Sequence, residues 1–165
     1  MPSPIEAVLD EAENRYLKPE ELKDVATYVM SLPDRADAYR AVRDNELTVM
    51  QQVADQLQAE MPRAATAAIE HSLKNGILVL RHCAMSMLLD DETFVQTRLL
   101  NWLSESIQTQ DAGTIDAALY PLMIENLTQT LTSKQLTFLE PLLTLAQNAL
   151  LQSAETEMLT VAVMF

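Results

Sequence analysis

The sequence has little of what other folds and other chemistries require. It holds two glycines in 165 residues and no Asn-Gly or Asp-Gly pair, which leaves no hairpin turns and argues against a sheet. Its single cysteine, Cys83, excludes an internal disulfide, so nothing in the chain needs an oxidising compartment. No apolar run reaches the length of a membrane span, because the longest is interrupted by Arg81 and His82. The opening "MPSPIEAVLDEAENR" carries acids and no apolar core, so a secretion signal is not expected and the expected location is the cytoplasm. Basic residues are scarce, 11 Lys and Arg against 24 Asp and Glu, for a net charge of −13. That charge repels phosphate backbones and anionic lipid, which makes nucleic acid and membrane poor partners. It serves solubility, or else it faces a basic partner surface. Glycine-rich phosphate loops, HExxH, paired cysteines and nucleophile elbows are all missing, so no enzyme is expected. The acids of "EE" at 20–21 and "DDE" at 90–92 sit at helix starts, where the helix dipole favours negative charge.

What is present is a set of helix formers, chiefly Ala, Leu, Met, Gln and Glu, and the fold class they predict is all-α. "SPIE" at 3–6 reads as a capping box with proline in the first turn, followed by Ile5, Val8, Leu9, Ala12 and Tyr16 at helical spacing. "KPEEL" restarts a helix with the stripe Leu22, Val25, Ala26, Val29 and Met30, and "SLPD" predicts its end. A long helix is expected from about 34 to 61, stopped by Pro62. The next runs from about 64 to 89 and is apolar on most of its circumference by residue 77, the mark of a central helix. After it come a helix over 94–107, a break at "DAGT", a helix carrying Ile115 to Leu127, and a last one opened by the capping box "TSKQ" at 132–135. Pro121 and Pro141 predict kinks or late starts. Seven or eight unequal helices around a long central one suit a globin-like packing better than a four-helix bundle. The expected domain covers 1–151, with an N-terminal helical hairpin over 3–32 and a separate β-branched tail over 152–165 that is frayed, folded on its own core, or docked on a partner.

Three residues in "ILVLRHCAM" invite chemistry. Free cysteine commonly packs as a small apolar residue, and that is the expectation for Cys83. His82 is a weak candidate haem ligand; His71 lies eleven residues earlier on the same helix face, so the two cannot clamp one iron from opposite sides. Arg81 is costly to bury unless a carboxylate meets it, in this chain or in a partner.

Several strings, taken in order, resemble the phycobiliproteins, the light-harvesting subunits of cyanobacteria and red algae. "LDEAENRYLKPEELKDVATYV" resembles their N-terminal hairpin and "RADAYRAVRDNELTVMQQVADQL" the long helix after it. "LVLRHCAMSMLLDDETFVQTRLLNWL" resembles the helix around the family's Tyr-Leu-Arg step, and "LLTLAQNALL" the closing helix. The resemblance spans about 3–151. It implies a globin-like fold and an open-chain tetrapyrrole, a bilin, joined by a thioether to the cysteine of "C-x-R-D". Aligning the Leu-Arg step puts "SLKN" there: Ser72 for the cysteine, Lys74 for the arginine and Asn75 for the aspartate. Serine lacks the thiolate-type nucleophile, and Asn75 lacks the charge that holds protonated pyrroles. The stretch from Pro62 to Ser72 is also shorter than the family's. The resemblance therefore implies a subunit without covalent bilin, with a structural, assembly or regulatory role among phycobilisome or photosynthetic proteins, in the cytoplasm or at the cytoplasmic face of the thylakoid. The alternative is a carrier or sensor binding bilin or haem reversibly beside residues 72–83, Cys83 included. It also implies a homo- or heterodimer in which Glu11 of one hairpin meets Arg81 of the partner, with Ile5, Val8, Leu9 and Tyr16 in the interface.

Overall fold

A computed structural model describes the backbone of residues 4–106 and 112–163, with side chains over 5–99, 113–150 and at 152. Six helices and no strand occur among the described residues: α1 (Pro4–Ala12), α2 (Pro19–Glu60), α3 (Thr66–Leu89), α4 (Glu92–Ser106), α5 (Ala112–Thr130) and α6 (Ser133–Val163). Ser3, the expected first cap, lies outside the described residues, as do 107–111 with the first residue of the expected "DAGT" break, whose other three residues instead open α5; the Trp102 side chain is likewise outside them.

α3 is central, packing against α2, α4, α5 and α6. It buries Ile69, Val79, Leu80, Cys83, Ala84 and Met87 among Leu57 of α2, Leu119, Met123 and Leu127 of α5, and Leu139 and Ala146 of α6. Its end is sharp because Asp90 turns into the left-handed region at φ 52°, where a short polar side chain is tolerated. The "TSKQ" box forms as expected: Thr132 N–H donates to Gln135 Oε1 at 3.0 Å, and Gln135 N–H donates to Thr132 Oγ1 at 3.3 Å. Asn126, buried on α5, donates to Gln56 Oε1 at 2.7 Å and to the Leu122 carbonyl at 2.8 Å, tying α5 to α2.

Two expectations need correction. The helices predicted over 19–32 and 34–61 are one helix of 42 residues, with Pro33 inside it. Proline removes one hydrogen bond but does not forbid helical φ, and here both flanks are pinned to α3. Tyr28 OH donates to the Leu88 carbonyl at 3.1 Å, and Arg35 Nη1 donates to the Met87 carbonyl at 2.6 Å. Likewise, residues 152–163 continue α6 as helix instead of starting a separate tail. Pro121 and Pro141 lie within α5 and α6 in the same manner.

The first half of α2 differs from the second. Its first fully buried side chain is Ala38, more than five turns from the start. α1 is not among the packed helix pairs. Residues 4 to about 30 thus form an arm that leaves the body, closed at its tip by Arg15. That guanidinium donates to both Glu21 oxygens at 2.9 and 2.8 Å and pairs with Glu11 at 3.3 Å. Glu21 also accepts the Lys18 amide at 2.8 Å. These donors hold its carboxyl at about 2, below the usual range.

Candidate functional site

Two places carry the residues singled out by sequence: the arm with the α2–α3 surface, and the α3–α5 seam.

Along the arm, apolar side chains stand in solvent. Tyr16 is 99% exposed, Met30 79% and Leu9 55%, while Ile5 and Val8 are half-buried. Leu22, Val25, Val29 and Leu32 follow a 3-4-3 spacing on one face of α2, all of them exposed except the half-buried Val25. That is the seam spacing of helices that pack on helices, here without a packed partner among the described residues.

The body offers a complementary feature. Between α2 and α3 lies a cleft of about 370 Å³, lined by Tyr39, Val42, Arg43, Glu46, Arg81, Ala84 and Met85. Arg81 Nε and Nη2 donate to the two oxygens of Glu46 at 2.9 and 2.6 Å, a bidentate pair. The partner is thus a carboxylate of the same chain, and the arginine is not buried as its apolar run predicts: its side chain is 62% exposed. Hydrogen bonding to Glu46, more than its charge, pushes the guanidinium above its ordinary value. The pair uses one edge of the guanidinium, which leaves the Nη1 donors outside it. Arg43 pairs with Asp44 at 2.8 Å on the same rim, and Leu78, three residues before Arg81 on α3, is exposed. Glu11 is exposed on the arm, with Arg15 as its partner.

At the seam, the residues aligned with the pigment site are scattered. Ser72 is 1% exposed, and its hydroxyl favours the charged form of the Asp116 carboxyl on α5. Lys74 is exposed, and Asn75 is half-buried with its amide 3.4 Å from His71 Nε2. One turn beyond Ser72, a Cβ on Gly76 would lie 2.9 Å from Leu119 Cδ2, so any larger residue there makes the Leu119 side chain shift. The bilin implied by the resemblance does not fit these residues: its attachment position is inside the protein and carries a hydroxyl in place of a thiol. Cys83 lies deeper, fully buried, its Sγ 3.6 Å from the Leu142 carbonyl. Burial pushes its thiol up to about 12, so no thiolate is present near neutral pH. His82 donates from Nδ1 to the Leu78 carbonyl at 2.7 Å and stacks on Phe94, ring centres 5.8 Å apart. Among the described residues, no three His, Cys, Asp or Glu side chains gather as a metal site.

Asp116 and Arg35 were not singled out by sequence. Desolvation raises the Asp116 carboxyl above its usual range, against the opposing pull of Ser72 and His71, and its Oδ1 has no hydrogen-bond partner among the described residues. The sign of the pH effect follows. Below the ordinary range the group is protonated, folded or unfolded, and costs nothing. As pH rises past 3.8 the unfolded chain ionises first, so the fold loses stability until the folded carboxyl ionises too. Asp116→Asn keeps an acceptor for Ser72 and removes the charge. Its urea midpoint is expected to exceed the wild-type midpoint at pH 7 and to converge with it near pH 3.5.

A family model described as "Phycobilisome protein" matches residues 8–150. No curated protein matches the chain. Among the described residues no helix is long and apolar enough to cross a membrane.

Proposed function

Because the chain belongs to the phycobilisome protein family, we propose that it is a non-catalytic subunit without covalent bilin, with a structural, assembly or regulatory role at the phycobilisome or in building photosynthetic complexes. It docks through the arm formed by α1 and the start of α2, on a second copy of itself or on another phycobiliprotein. The observation that carries this reading is the arm itself, a helix pair closed by Arg15 and lined with exposed apolar side chains at packing spacing. Such a surface on a chain of net charge −13 is costly in water and favours a helical partner. α1 carries Glu6, Asp10 and Glu11 and no basic residue, and the cleft on the body presents Arg43 and Arg81. The two surfaces complement each other across copies, as a two-fold dimer requires.

Sedimentation of the purified chain, alone and with purified phycobiliprotein subunits, tests the reading. The wild type is expected to sediment as a dimer or in a complex. Arg81→Gln is expected to weaken that association by about tenfold or more. Glu46→Gln is expected to strengthen it, since it releases the guanidinium for a partner carboxylate. A chain that stays monomeric in every mixture overturns the proposal.

A further inference from the structure

The seam around Ser72 says more than that a cysteine is missing. Among phycobilisome proteins that carry pigment, the attachment position must be reachable by a molecule of four pyrrole rings, and the groove must stay open until it arrives. Here position 72 is shut by two independent features. Its side chain is 1% exposed. One turn along, Gly76 lets Leu119 sit against the α3 backbone, with Met50 of α2 3.5 Å from where a Cβ would be. Leu119 is itself fully buried, so moving it disturbs packed neighbours.

We infer that in this chain the family's pigment-attachment position has been closed by a helix–helix clasp, Ser72 buried beside the Gly76–Leu119 contact of α3 with α5, and that restoring the cysteine does not restore bilin uptake. The inference rests on the family reading for which residue stands at that position. It does not depend on how the chain assembles. Access to position 72 is lost at the level of packing, and opening it requires α3 and α5 to part, which is a partial unfolding.

The test compares Ser72→Cys with Glu70→Cys, two residues earlier on the exposed face of the same helix. Ellman's reagent is applied to the full-length folded chain and again in denaturant, with the wild type giving the background from Cys83. In the folded chain the new thiol of S72C is expected to react at least about a hundredfold more slowly than that of E70C, and at the same rate once unfolded. Incubation of the folded S72C chain with biliverdin is expected to give no zinc-fluorescent band on a denaturing gel. Native reaction at the rate of the E70C control, or a covalent pigment band, overturns the inference. Should S72C lose its helical circular dichroism, Gly76→Ala decides. An open groove gives the helix the gain that alanine normally brings over glycine and raises the denaturation midpoint, which refutes the clasp; a closed seam gives no gain. Assembly measured by sedimentation is a separate readout, so a failure here is distinguishable from a failure of the docking proposal.

Discussion

Arg35→Ala is expected to lower stability by about 2–4 kcal/mol, a fall of roughly 4–16 °C in melting temperature for a chain of this size. Arg35 is 13% exposed and serves three helices at once. Its Nε donates to Ser31 Oγ at 2.9 Å, its Nη1 to the Met87 carbonyl at 2.6 Å, and its Nη2 pairs with Asp90 at 3.1 Å. The guanidinium also lies over the Phe138 ring of α6, 4.9 Å from the centroid. Truncation removes a charged donor from the end of α3 and leaves a void against Phe138, two losses that add. Lysine keeps the charge but cannot present a planar fork to three acceptors, so Arg35→Lys is expected to fall between the two. Chemical denaturation followed by circular dichroism checks the order wild type, Lys, Ala. A loss below about 0.5 kcal/mol would mean the clamp is a surface contact.

The consequence reaches beyond stability, because Arg35 stands two residues after Pro33. Helix α2 passes through that proline into an arm with no buried side chain of its own. The direction in which the arm leaves is set by what holds residues 28–35 to the end of α3, namely Tyr28, Ser31 and Arg35. A docking surface carried on an arm needs this fixed base.

The same region shows where sequence reasoning reaches and where it stops. The all-helical class, the central α3 and the Thr132–Gln135 box were legible because periodicity and capping are local signals. Pro33 misled because it too is a local signal. "SLPD" reads as an end only if nothing holds the chain beyond it, and the holding groups are Leu88 and Met87, more than fifty residues away. Arg81 in an apolar run predicts a buried arginine met by a carboxylate; the carboxylate is there, but the side chain is 62% exposed on the rim of the α2–α3 cleft. The identity of that carboxylate, Glu46, did not show, because it is the pairing of α2 with α3 that brings the two together. The mismatch of Ser72, Lys74 and Asn75 with the family's pigment motif was legible residue by residue. The closing of that position was not: nothing in the sequence marks that Leu119 on α5 packs against Gly76 on α3. The turn from α6 into a tail was expected from a change of composition, and β-branched residues in a row do lower helix propensity, but not enough to end a helix already nucleated over five turns.

Replacing Leu22, Val29 and Met30 together by Gln, Gln and Lys is expected to weaken association by about a hundredfold or more while changing the stability of the dissociated chain by less than about 1 kcal/mol. The asymmetry is the content of the prediction. These side chains are 54%, 56% and 79% exposed in the isolated chain, so little apolar burial is lost when they become polar, and Gln and Lys are good helix formers at exposed positions. In an assembly Leu22 and Val29 would lie in a helix-to-helix seam with Met30 on its flank, and in such seams a few buried side chains carry most of the binding energy. Sedimentation gives the first quantity and urea denaturation at low concentration the second. If the arm instead folded back on its own body in solution, the triple variant would lose stability and association in parallel. If the apolar face had no partner, neither would change, and the variant would only gain solubility. The decoupled result is produced by an arm that stands clear of its own chain and is covered by another.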